Sequence, residues 1–404
     1  MDKHDGDSCT NCSRPYRLKN HVMNYAWGTR GAQAFIPHLL GQEAEGDRPY
    51  AELWMGVHPN APSSIISPGA GETPLQDWIR SSPEETLGNG DTLPYLLKVL
   101  SAGEALSIQA HPNKTQAVTL HKRDPGNYPD DNHKPEIAIA IDHLDALVGF
   151  ISQTEYEQLL DLLPELREAL HDKGEIPMLE SGVRTLLQLR GSAPESIQQL
   201  NERVHRCLQD QTDLSSKDQL FMDLYAQYGK EDAGLLFVLL LQRVHLGPGQ
   251  AVFLPPGIPH AYLKGNIIEC MANSDNVVRL GLTPKFCDAR ALAEILDFKT
   301  QGPFLVETRN DGYQVEYLTP AKEFKISSLD LRPGESRGYG YHQGLTTVIL
   351  LEGEISFHWC CGDQRCTSIF RRGNSFVIPA ALGSYTLQAR AHAKLILADI
   401  PDQV

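Results

Sequence analysis

Four residues in this sequence carry side chains that bind metal ions in proteins, and each lies in or beside a segment with strand character. His260 comes three residues after Gly257, at the end of a Pro-Pro-Gly turn that follows an apolar strand. Gln109 and His111 are two residues apart in an alternating run, so their side chains share one face. Glu136 opens a further apolar strand. Two imidazoles, one carboxylate and one amide oxygen suit a borderline cation, and we expect zinc.

Two lysines accompany these candidate ligands. Lys98 interrupts the apolar run Tyr95–Leu100, where an unpaired ammonium is costly to bury, so its side chain either reaches solvent or faces an anion. Lys134 is held extended by the proline that follows it, so it faces the same side as Glu136 while His133 faces the other. The pattern therefore places positive charge next to the predicted metal site.

Downstream of His260 the polar density rises within a stretch that glycines and a proline interrupt. Its polar side chains are Glu269, Asn273, Ser274, Asp275, Asn276, Arg279 and Lys285. One interpretation is a solvated loop in which Arg279 forms a structural salt bridge with Asp275 or Glu269. The other is an active-site segment in which the guanidinium stabilises negative charge on a substrate.

The turn before His260 resembles a motif of a known superfamily. Gly249, Pro255, Gly257 and His260 match the pattern G-x5-P-x-G-x2-H, which resembles the second metal motif of the cupins. Lys264 stands where that motif has an asparagine. The resemblance implies a small β-barrel with the metal inside it, although a glutamine replaces the first histidine of the usual cupin ligand set.

Two longer segments resemble the signatures of the type I phosphomannose isomerases. Residues 128–136 read YPDDNHKPE and match the pattern Y-x-D-x-N-H-K-P-E, and residues 260–285 read HAYLKGNIIECMANSDNVVRLGLTPK and resemble the longer signature. The segments YRLKNHVMNYAWG and YAELWMGVHP are similar to the N-terminal region of the same enzymes. Leu280 stands where the family usually has alanine, which we expect to change packing only. The resemblance covers nearly the whole chain from about Tyr16 onward.

This resemblance implies a zinc-dependent aldose–ketose isomerase that interconverts mannose 6-phosphate and fructose 6-phosphate by proton transfer between C1 and C2 through a cis-enediol(ate). Such a reaction needs a base at a weakly acidic carbon and stabilisation of the enediolate, which a metal ion assists. The resemblance implies one zinc per chain on the four ligands above, and assigns the developing oxyanion to Arg279. Lys134 is the candidate for proton transfer, with Glu269 and Asp275 as rival bases.

The substrate contacts are a choice among several residues. The candidates for the phosphate, which lysine and hydroxyl donors suit, are Lys98, Ser107 and Lys285. Other candidate contacts are Glu269, Asp275 and Trp27, the last of which is equally compatible with core packing. Two other functions stay open: an iron-dependent cupin oxygenase and a metal-bearing sugar-binding module without activity. The sequence has neither a dinucleotide-binding fingerprint nor a P-loop.

Periodicity predicts a mainly β fold with an α-helical insertion, built as two cupin-type jelly-roll β-barrels plus a helical domain. The expected divisions are a disordered tail at 1–14, a catalytic zinc-binding cupin domain at 15–150 and 232–303, a helical insertion at 151–231, and a second cupin-like barrel at 304–404. In the second barrel, Gly373 and Pro379 repeat the spacing of the first Pro turn, but Ser384 stands at the position of the ligand histidine. We therefore expect no metal there.

Two local patterns allow sharper predictions. The apolar run at Leu235–Val244 predicts that the chain resumes as a strand after the helical insertion. Within the insertion, Ser192 and Glu195 have the spacing of a capping box at a helix start.

Composition limits the partners and the compartment. The 404 residues carry a formal net charge of −15, which argues against nucleic acid and anionic membranes, so we expect a small phosphosugar as the partner. No apolar run approaches the roughly 20 residues of a membrane span, and the first residues lack an apolar signal core, so we expect a cytoplasmic protein. Cys9 and Cys12 lack the second pair of a zinc knuckle, and we expect reduced cysteines. A monomer is the working expectation, with the oligomeric state open.

Overall fold

The computed structural model describes residues 13–67, 71–170, 178–302, 304–341 and 344–401. Most of the predicted N-terminal tail, including Cys9 and Cys12, lies outside the described residues. Within them the chain folds into three β-sheets with helices around the strands, which confirms the prediction of a mainly β protein. None of the helices in these ranges is both long and apolar enough to cross a membrane.

Strands are numbered in chain order. They are β1 Tyr16–Lys19, β2 His21–Met23, β3 Glu52–Met55, β4 Ser64–Ser67, β5 Gly71–Pro74, β6 Tyr95–Ala102, β7 Ile108–Ala110, β8 Glu136–Phe150, β9 Leu241–Leu246, β10 Ala251–Leu254, β11 His260–Ala272, β12 Val278–Gly281, β13 Thr308–Asn310, β14 Gln314–Tyr317, β15 Lys325–Leu331, β16 Ser336–Tyr339, β17 Thr346–Glu352, β18 Glu354–Cys361, β19 Gln364–Arg371, β20 Ser375–Ile378, β21 Tyr385–Ala389 and β22 Ala393–Asp399.

Helices are numbered in the same way. The α-helices are α1 Phe35–Leu39, α2 Leu75–Ser81, α3 Pro83–Thr86, α4 Lys114–Arg123, α5 Gln153–Leu162, α6 Pro164–Leu170, α7 Leu179–Ser192, α8 Pro194–Gln209, α9 Ser216–Tyr228, α10 Gly234–Leu240 and α11 Ala289–Ile295. Short 3-10 helices cover Gly31–Gln33 and Ala380–Leu382.

The first sheet holds the strands on which the predicted metal ligands lie. Its order is β10-β8-β11-β6-β3-β2, with β9 paired to β8, and with β7 and β12 extending it from β11. The long strands β8 and β11 run antiparallel, with Ile139 opposite Ile268. Every residue of β6 is buried, including Lys98. Because both faces of these strands are covered, polar side chains in this sheet must find partners inside the protein.

The second sheet joins the two ends of the chain. Its order is β13-β14-β15-β22-β17-β20-β1-β4-β5, so the N-terminal β1 lies between β20 and β4. The hydroxyl of Tyr95 on β6 donates to the carbonyl of Ala398 on β22 at 2.6 Å, which ties the two large sheets together. The third sheet, β16-β21-β18-β19, contributes Phe357 to an aromatic core with Phe370 and Phe376. The jelly-roll arrangement of these strands stays a prediction.

The region predicted to be helical contains α5 to α9 in the described residues. In α8 an apolar stripe is buried; its members are Ile197, Leu200, Val204 and Leu208. The capping box predicted at Ser192 is wrong. Ser192 is the last residue of α7, and its hydroxyl donates to the carbonyl of Gln188, so Ala193 precedes α8 without a side-chain cap.

The strand predicted at Leu235–Val244 is wrong in its first half. Gly234–Leu240 form α10, whose residues are all buried, and β9 begins at Leu241. A short apolar run that is buried on every side shows no periodicity that separates helix from strand, so the tertiary environment decides.

Among the cysteines that the structure describes, Cys361 departs from the expectation of reduced thiols. Cys361 is disulfide-bonded. The sequence could not indicate this, because spacing alone does not say which thiols the fold brings together.

Candidate active site

Three of the four predicted metal ligands meet in one buried cluster. Nε2 of His111 lies 3.3 Å, and Nε2 of His260 lies 3.4 Å, from the same carboxylate oxygen, Oε2 of Glu136. The ligand atoms lie within 4.8 Å of one another, and each residue is only 1% exposed. Glu136 is the first residue of β8 and His260 is the first of β11, while His111 directly follows β7. The ends of three strands of one sheet therefore build the cluster.

Backbone carbonyls fix both imidazole rings. Nδ1 of His111 lies 2.9 Å from the carbonyl oxygen of Asn276, and Nδ1 of His260 lies 3.0 Å from that of Ile258. A carbonyl oxygen only accepts, so each Nδ1 carries a proton, and the other ring nitrogen, Nε2, faces Glu136. His111 Nε2 and Glu136 Oε2 have no hydrogen-bond partner within the described ranges. Two imidazole nitrogens and a carboxylate oxygen thus converge inside the protein, which is a donor set that a zinc ion satisfies.

Gln109, the fourth predicted ligand, lies beside this cluster. It is paired with His260 across β7 and β11, and its Nε2 lies 3.5 Å from His260 Nε2. Its amide oxygen accepts a hydrogen bond from Ser107 Oγ at 3.4 Å. A 180° rotation of the amide exchanges its two terminal atoms and turns the oxygen toward the cluster, as a metal ligand requires.

Lys134 holds the second carboxylate oxygen of Glu136. Its ammonium lies 3.1 Å from Oε1, so the two side chains share one face, as the intervening proline predicted. Burial alone raises the pKa of the Glu136 carboxyl, but the Lys134 ammonium and the imidazoles outweigh it and hold the pKa well below its usual range. Burial lowers the pKa of His111. The site thus favours a carboxylate at Glu136 and a neutral imidazole at His111, which are the protonation states that bind metals.

Lys98 is engaged by two carboxylates inside the sheet. Its ammonium lies 2.9 Å from Glu269 Oε2 and 3.7 Å from Glu52 Oε2, and 5.1 Å from the centre of the Trp54 ring. Burial alone lowers the pKa of Lys98, but the two carboxylates outweigh it and raise the pKa above its usual value. The sequence allowed Lys98 either to reach solvent or to face an anion. It faces anions, and these are the carboxylates of Glu269 and Glu52.

Arg279 lies on β12 opposite Gln109 of β7, and so beside the metal cluster. Neither candidate for a structural salt bridge is its partner, because Asp275 lies 3.2 Å from His58 and Glu269 is held by the ammonium described above. Among the described residues no carboxylate forms an ion pair with Arg279. Burial lowers the pKa of this guanidinium, which still remains protonated at neutral pH. It is a half-buried cation beside the cluster.

Trp27 and Lys285 both contact Tyr25, which the sequence analysis did not single out. The rings of Tyr25 and Trp27 stack with 5.8 Å between centroids, and the Lys285 ammonium lies 6.0 Å from the centre of the Tyr25 ring. Burial raises the pKa of Tyr25, and the nearby carboxylate of Glu52 adds to this effect. Lys285 is exposed, and in the described part of the chain it has no carboxylate partner. It is therefore a more available cation than the buried lysine of β6.

Two further side chains were missed from the sequence. His58 is 3% exposed, and its hydrogen bond to Asp275 lowers the pKa of that carboxyl. The buried hydroxyl of Tyr262 has no hydrogen-bond partner in the described chain, and burial raises the pKa of this phenol well above its usual value. The signal for Tyr262 was available, because it lies two residues after His260 on one strand and so shares its face. No such signal marked His58, whose partner is distant in sequence.

Comparisons with known proteins agree with this geometry. The family model described as the phosphomannose isomerase type I catalytic domain matches residues 16–153. Mannose-6-phosphate isomerase 2 of Arabidopsis thaliana is 35% identical, over 93% of this chain and 91% of its own length. The mannose-6-phosphate isomerase of Schizosaccharomyces pombe is 37% identical, over 84% and 89% respectively.

A solved structure extends the agreement from sequence to fold. A crystal structure of mannose 6-phosphate isomerase bound with zinc and yttrium aligns with a TM-score of 0.83 at 29% identity. The alignment covers 95% of this chain and 98% of that one. With the two signature segments and the relatives above, these matches show that the chain belongs to the type I phosphomannose isomerase family.

Proposed function

We propose that the protein is a zinc-dependent isomerase that interconverts mannose 6-phosphate and fructose 6-phosphate. The observation that carries the proposal is the buried cluster of His111, Glu136 and His260, in which two imidazole nitrogens and a carboxylate oxygen converge, and in which Nε2 of His111 and Oε2 of Glu136 have no hydrogen-bond partner in the described chain. The substrate follows from the family, since the curated relatives are named for mannose 6-phosphate.

Gln109, with its amide oxygen turned inward, would complete the set that holds one zinc ion per chain. A zinc ion there is a Lewis acid that stabilises negative charge on the oxygens at C1 and C2 of the sugar. The nitrogen and oxygen donors suit zinc, and a solved relative contains zinc.

Arg279 supplies a second positive group at the same oxygens. Its guanidinium is too basic to accept a proton at neutral pH, so its role is electrostatic. Negative charge grows on the substrate as the C–H proton leaves, and a cation without a carboxylate partner interacts more strongly with that charge than with the neutral sugar.

The contacts rank the candidate proton-transfer groups. Glu269 is last, because it is buried and its charge is already neutralised by Lys98 at 2.9 Å. Asp275 is partly exposed and has no lysine or arginine partner in the described chain, and its hydrogen bond with His58 lowers its pKa. We propose Lys134 and Asp275 as the two groups that exchange protons with the substrate, through a cis-enediol(ate).

The phosphate end of the substrate requires an available cation. Lys285 fits this role best of the predicted residues, because it is exposed and faces an aromatic ring rather than a carboxylate. Ser107 is a second donor, since its hydroxyl makes only a long contact with Gln109. Lys98 would first have to exchange its carboxylate partners for phosphate.

We also propose the architecture and setting expected from the sequence. These are two cupin-type jelly-roll barrels at 15–150 with 232–303 and at 304–404, a helical domain at 151–231, and a monomeric cytoplasmic enzyme. The antiparallel pairing of β8 with β10 and β11, and the run of helices from α5 to α9, support the division.

A coupled assay tests the proposed function. The purified chain should convert mannose 6-phosphate to fructose 6-phosphate, and the reverse, while free mannose and glucose 6-phosphate serve as controls that should react far more slowly. Binding of mannose 6-phosphate without turnover would indicate a sugar-binding module instead, and oxygen consumption with iron bound would indicate an oxygenase.

A further inference from the structure

A second polar cavity lies at one end of the C-terminal strands, away from the metal cluster. It has a volume of about 520 Å³ and opens between β13, β14, β15 and β22 of the long sheet and β16 and β21 of the small sheet. The residues placed in the active site above do not line it. Its volume falls in the usual range for small-molecule sites, roughly 300–1,000 Å³.

The cavity lies beside the Pro turn of the C-terminal strands, and the metal cluster lies beside the Pro turn of the first sheet. β10 ends before Pro255 and β11 begins at His260, whereas β20 ends before Pro379 and β21 begins at Tyr385. His260 belongs to the metal cluster, and Tyr385 lines the cavity. His260 lies five residues after Pro255, and the residue at that spacing after Pro379 is Ser384, so Tyr385 lies one residue beyond the position of the metal ligand.

Each cation that lines the cavity has a carboxylate neighbour, although the buried Nε of Arg337 has no hydrogen-bond partner in the described chain. Arg337 donates to Asp311 at 2.6 Å, and Glu316 lies 3.3 Å from Lys325 and 3.5 Å from Arg309. A phosphate or carboxylate ligand would compete with these protein carboxylates for every cation. An apolar ligand would have to strip water from the same polar groups. The lining favours a neutral ligand that forms many hydrogen bonds.

Contacts between the two sheets hold the polar groups in place. The Tyr339 hydroxyl donates to Gln314 Oε1 at 3.1 Å, and its ring stacks on Tyr385 with 4.9 Å between centroids. The Arg337–Asp311 pair spans the same gap between the sheets. At the rim, Tyr341 is 76% exposed and offers an aromatic face. Hydroxyl groups and an apolar C–H face are what a pyranose presents to such a surface.

We propose that this cavity is a second ligand site, which binds a neutral pyranose sugar without a metal ion. Planar carboxylate, guanidinium and amide groups would bind its hydroxyls, and Tyr341 would contact its C–H face. The proposal does not rest on the isomerase assignment, because it uses none of the groups of that site.

Gly340 allows a direct test. It lines the cavity, and no atom lies within 4 Å of the position that a Cβ would take, so a side chain can be added there, and the indole of Gly340→Trp is expected to obstruct the cavity. Gly191 on α7 is equally open, and Gly191→Trp is the matched control. The probe is methyl α-D-mannopyranoside. Its binding to the full chain is measured by saturation-transfer NMR, and fructose 6-phosphate is present in excess to occupy the isomerase site.

The probe should bind the wild type, and Gly340→Trp should weaken binding at least about tenfold because the indole occupies the same space. Gly191→Trp should bind like the wild type, and isomerase activity should be unchanged in both variants. Four results would each overturn the proposal: no binding by the wild type, displacement by fructose 6-phosphate, displacement by inorganic phosphate, or undiminished binding by Gly340→Trp.

Discussion

A turn that begins with a proline joins β10 to β11 and β20 to β21, yet the first residue of the second strand meets a different environment in each case. His260 begins β11 and faces a carboxylate and a second imidazole inside a buried cluster. Tyr385 begins β21, and its ring stacks on Phe357 with 4.9 Å between centroids. A strand–turn–strand unit thus supports a candidate metal site in one case and aromatic packing in the other. The chemistry depends on which side chains the unit carries.

The residues buried around His260 and Tyr385 differ in the same way: those near His260 are charged, and those near Tyr385 are aromatic. The sheet around His260 buries Lys98, Glu52 and Glu269. Beside Tyr385, the rings of Phe370 and Phe376 stack at 3.9 Å. Buried charges cost free energy unless each is paired, whereas buried aromatic rings stabilise directly. The catalytic sheet therefore depends on intact ion pairs, and the C-terminal sheets depend on packing.

Replacing the first residue of the catalytic pair gives the largest expected effect. His260→Ala removes one of the proposed metal ligands, so activity should fall by more than the roughly 10–100-fold that loss of an outer-sphere partner costs. Zinc content, measured by atomic absorption, should fall with it. Ser384→Ala, at the corresponding spacing after Pro379, is the control and should leave both unchanged. Equal effects of the two substitutions would show that the two units do not differ in function.

Lys98→Ala and Lys394→Ala together compare the loss of a buried ion pair with the loss of an exposed one. It leaves Glu269 and Glu52 buried without their cation, so the free energy of unfolding should fall by about 3–5 kcal/mol in chemical denaturation. Lys394→Ala removes an exposed pair with Glu352 in the C-terminal sheet and should cost far less. Unchanged stability together with a raised KM for mannose 6-phosphate would instead assign Lys98 to the phosphate.

Arg279→Ala should lower kcat by about 10²–10³, the scale for removing one donor to a developing oxyanion. Zinc content and KM should change little, and Arg279→Lys should restore activity only in part because the planar fork is lost. Arg390→Ala is the control, since Arg390 pairs with Glu354 far from the cluster in the C-terminal sheets. If kcat stays within about threefold of the wild type, the oxyanion role is wrong.

The smallest expected effect concerns a contact between the two regions. His133 precedes β8, and its Nε2 lies 2.6 Å from Glu323, which precedes β15. Burial alone raises the pKa of Glu323, but His133 outweighs it and lowers the pKa. A depressed folded-state pKa stabilises the protein above the ordinary carboxyl pKa of about 4.3, and this contribution is lost as the pH falls through the folded-state value.

Glu323→Gln should therefore make the melting temperature fall less steeply in acid than it does in the wild type. The measurement is a series of thermal melts between neutral and acidic pH, with the exposed Glu307→Gln as control. If the melting temperatures of the wild type and of Glu323→Gln fall equally with pH, the His133–Glu323 contact does not contribute to stability as described.

The parts of the fold and site that the sequence predicted are those that local chemistry controls. Alternation and a proline turn set the directions of Gln109, His111, Glu136 and His260, and the resemblance to the cupin motif predicted that they meet, which the structure confirms for the two histidines and the glutamate. Arg279 was identified through its signature segment. The helix at Gly234–Leu240 was not, because a wholly buried apolar run carries no period.

Features that depend on distant pairing were beyond the sequence. β1 lies between β20 and β4, a neighbourhood that no local pattern specifies. The His58–Asp275 pair and the two carboxylates on Lys98 likewise come from separate segments. Their side chains are ordinary in sequence and become informative only when burial shows that each must have a partner.

The central claim is that the cluster of His111, Glu136 and His260 holds one zinc ion, and that isomerisation requires this ion. The direct test is to remove metal from the purified chain with a chelator, then titrate zinc back while following mannose 6-phosphate turnover. Turnover should vanish in the metal-free protein, rise linearly with added zinc and level off at one zinc per chain. Full turnover by a chain shown to be metal-free would contradict the account.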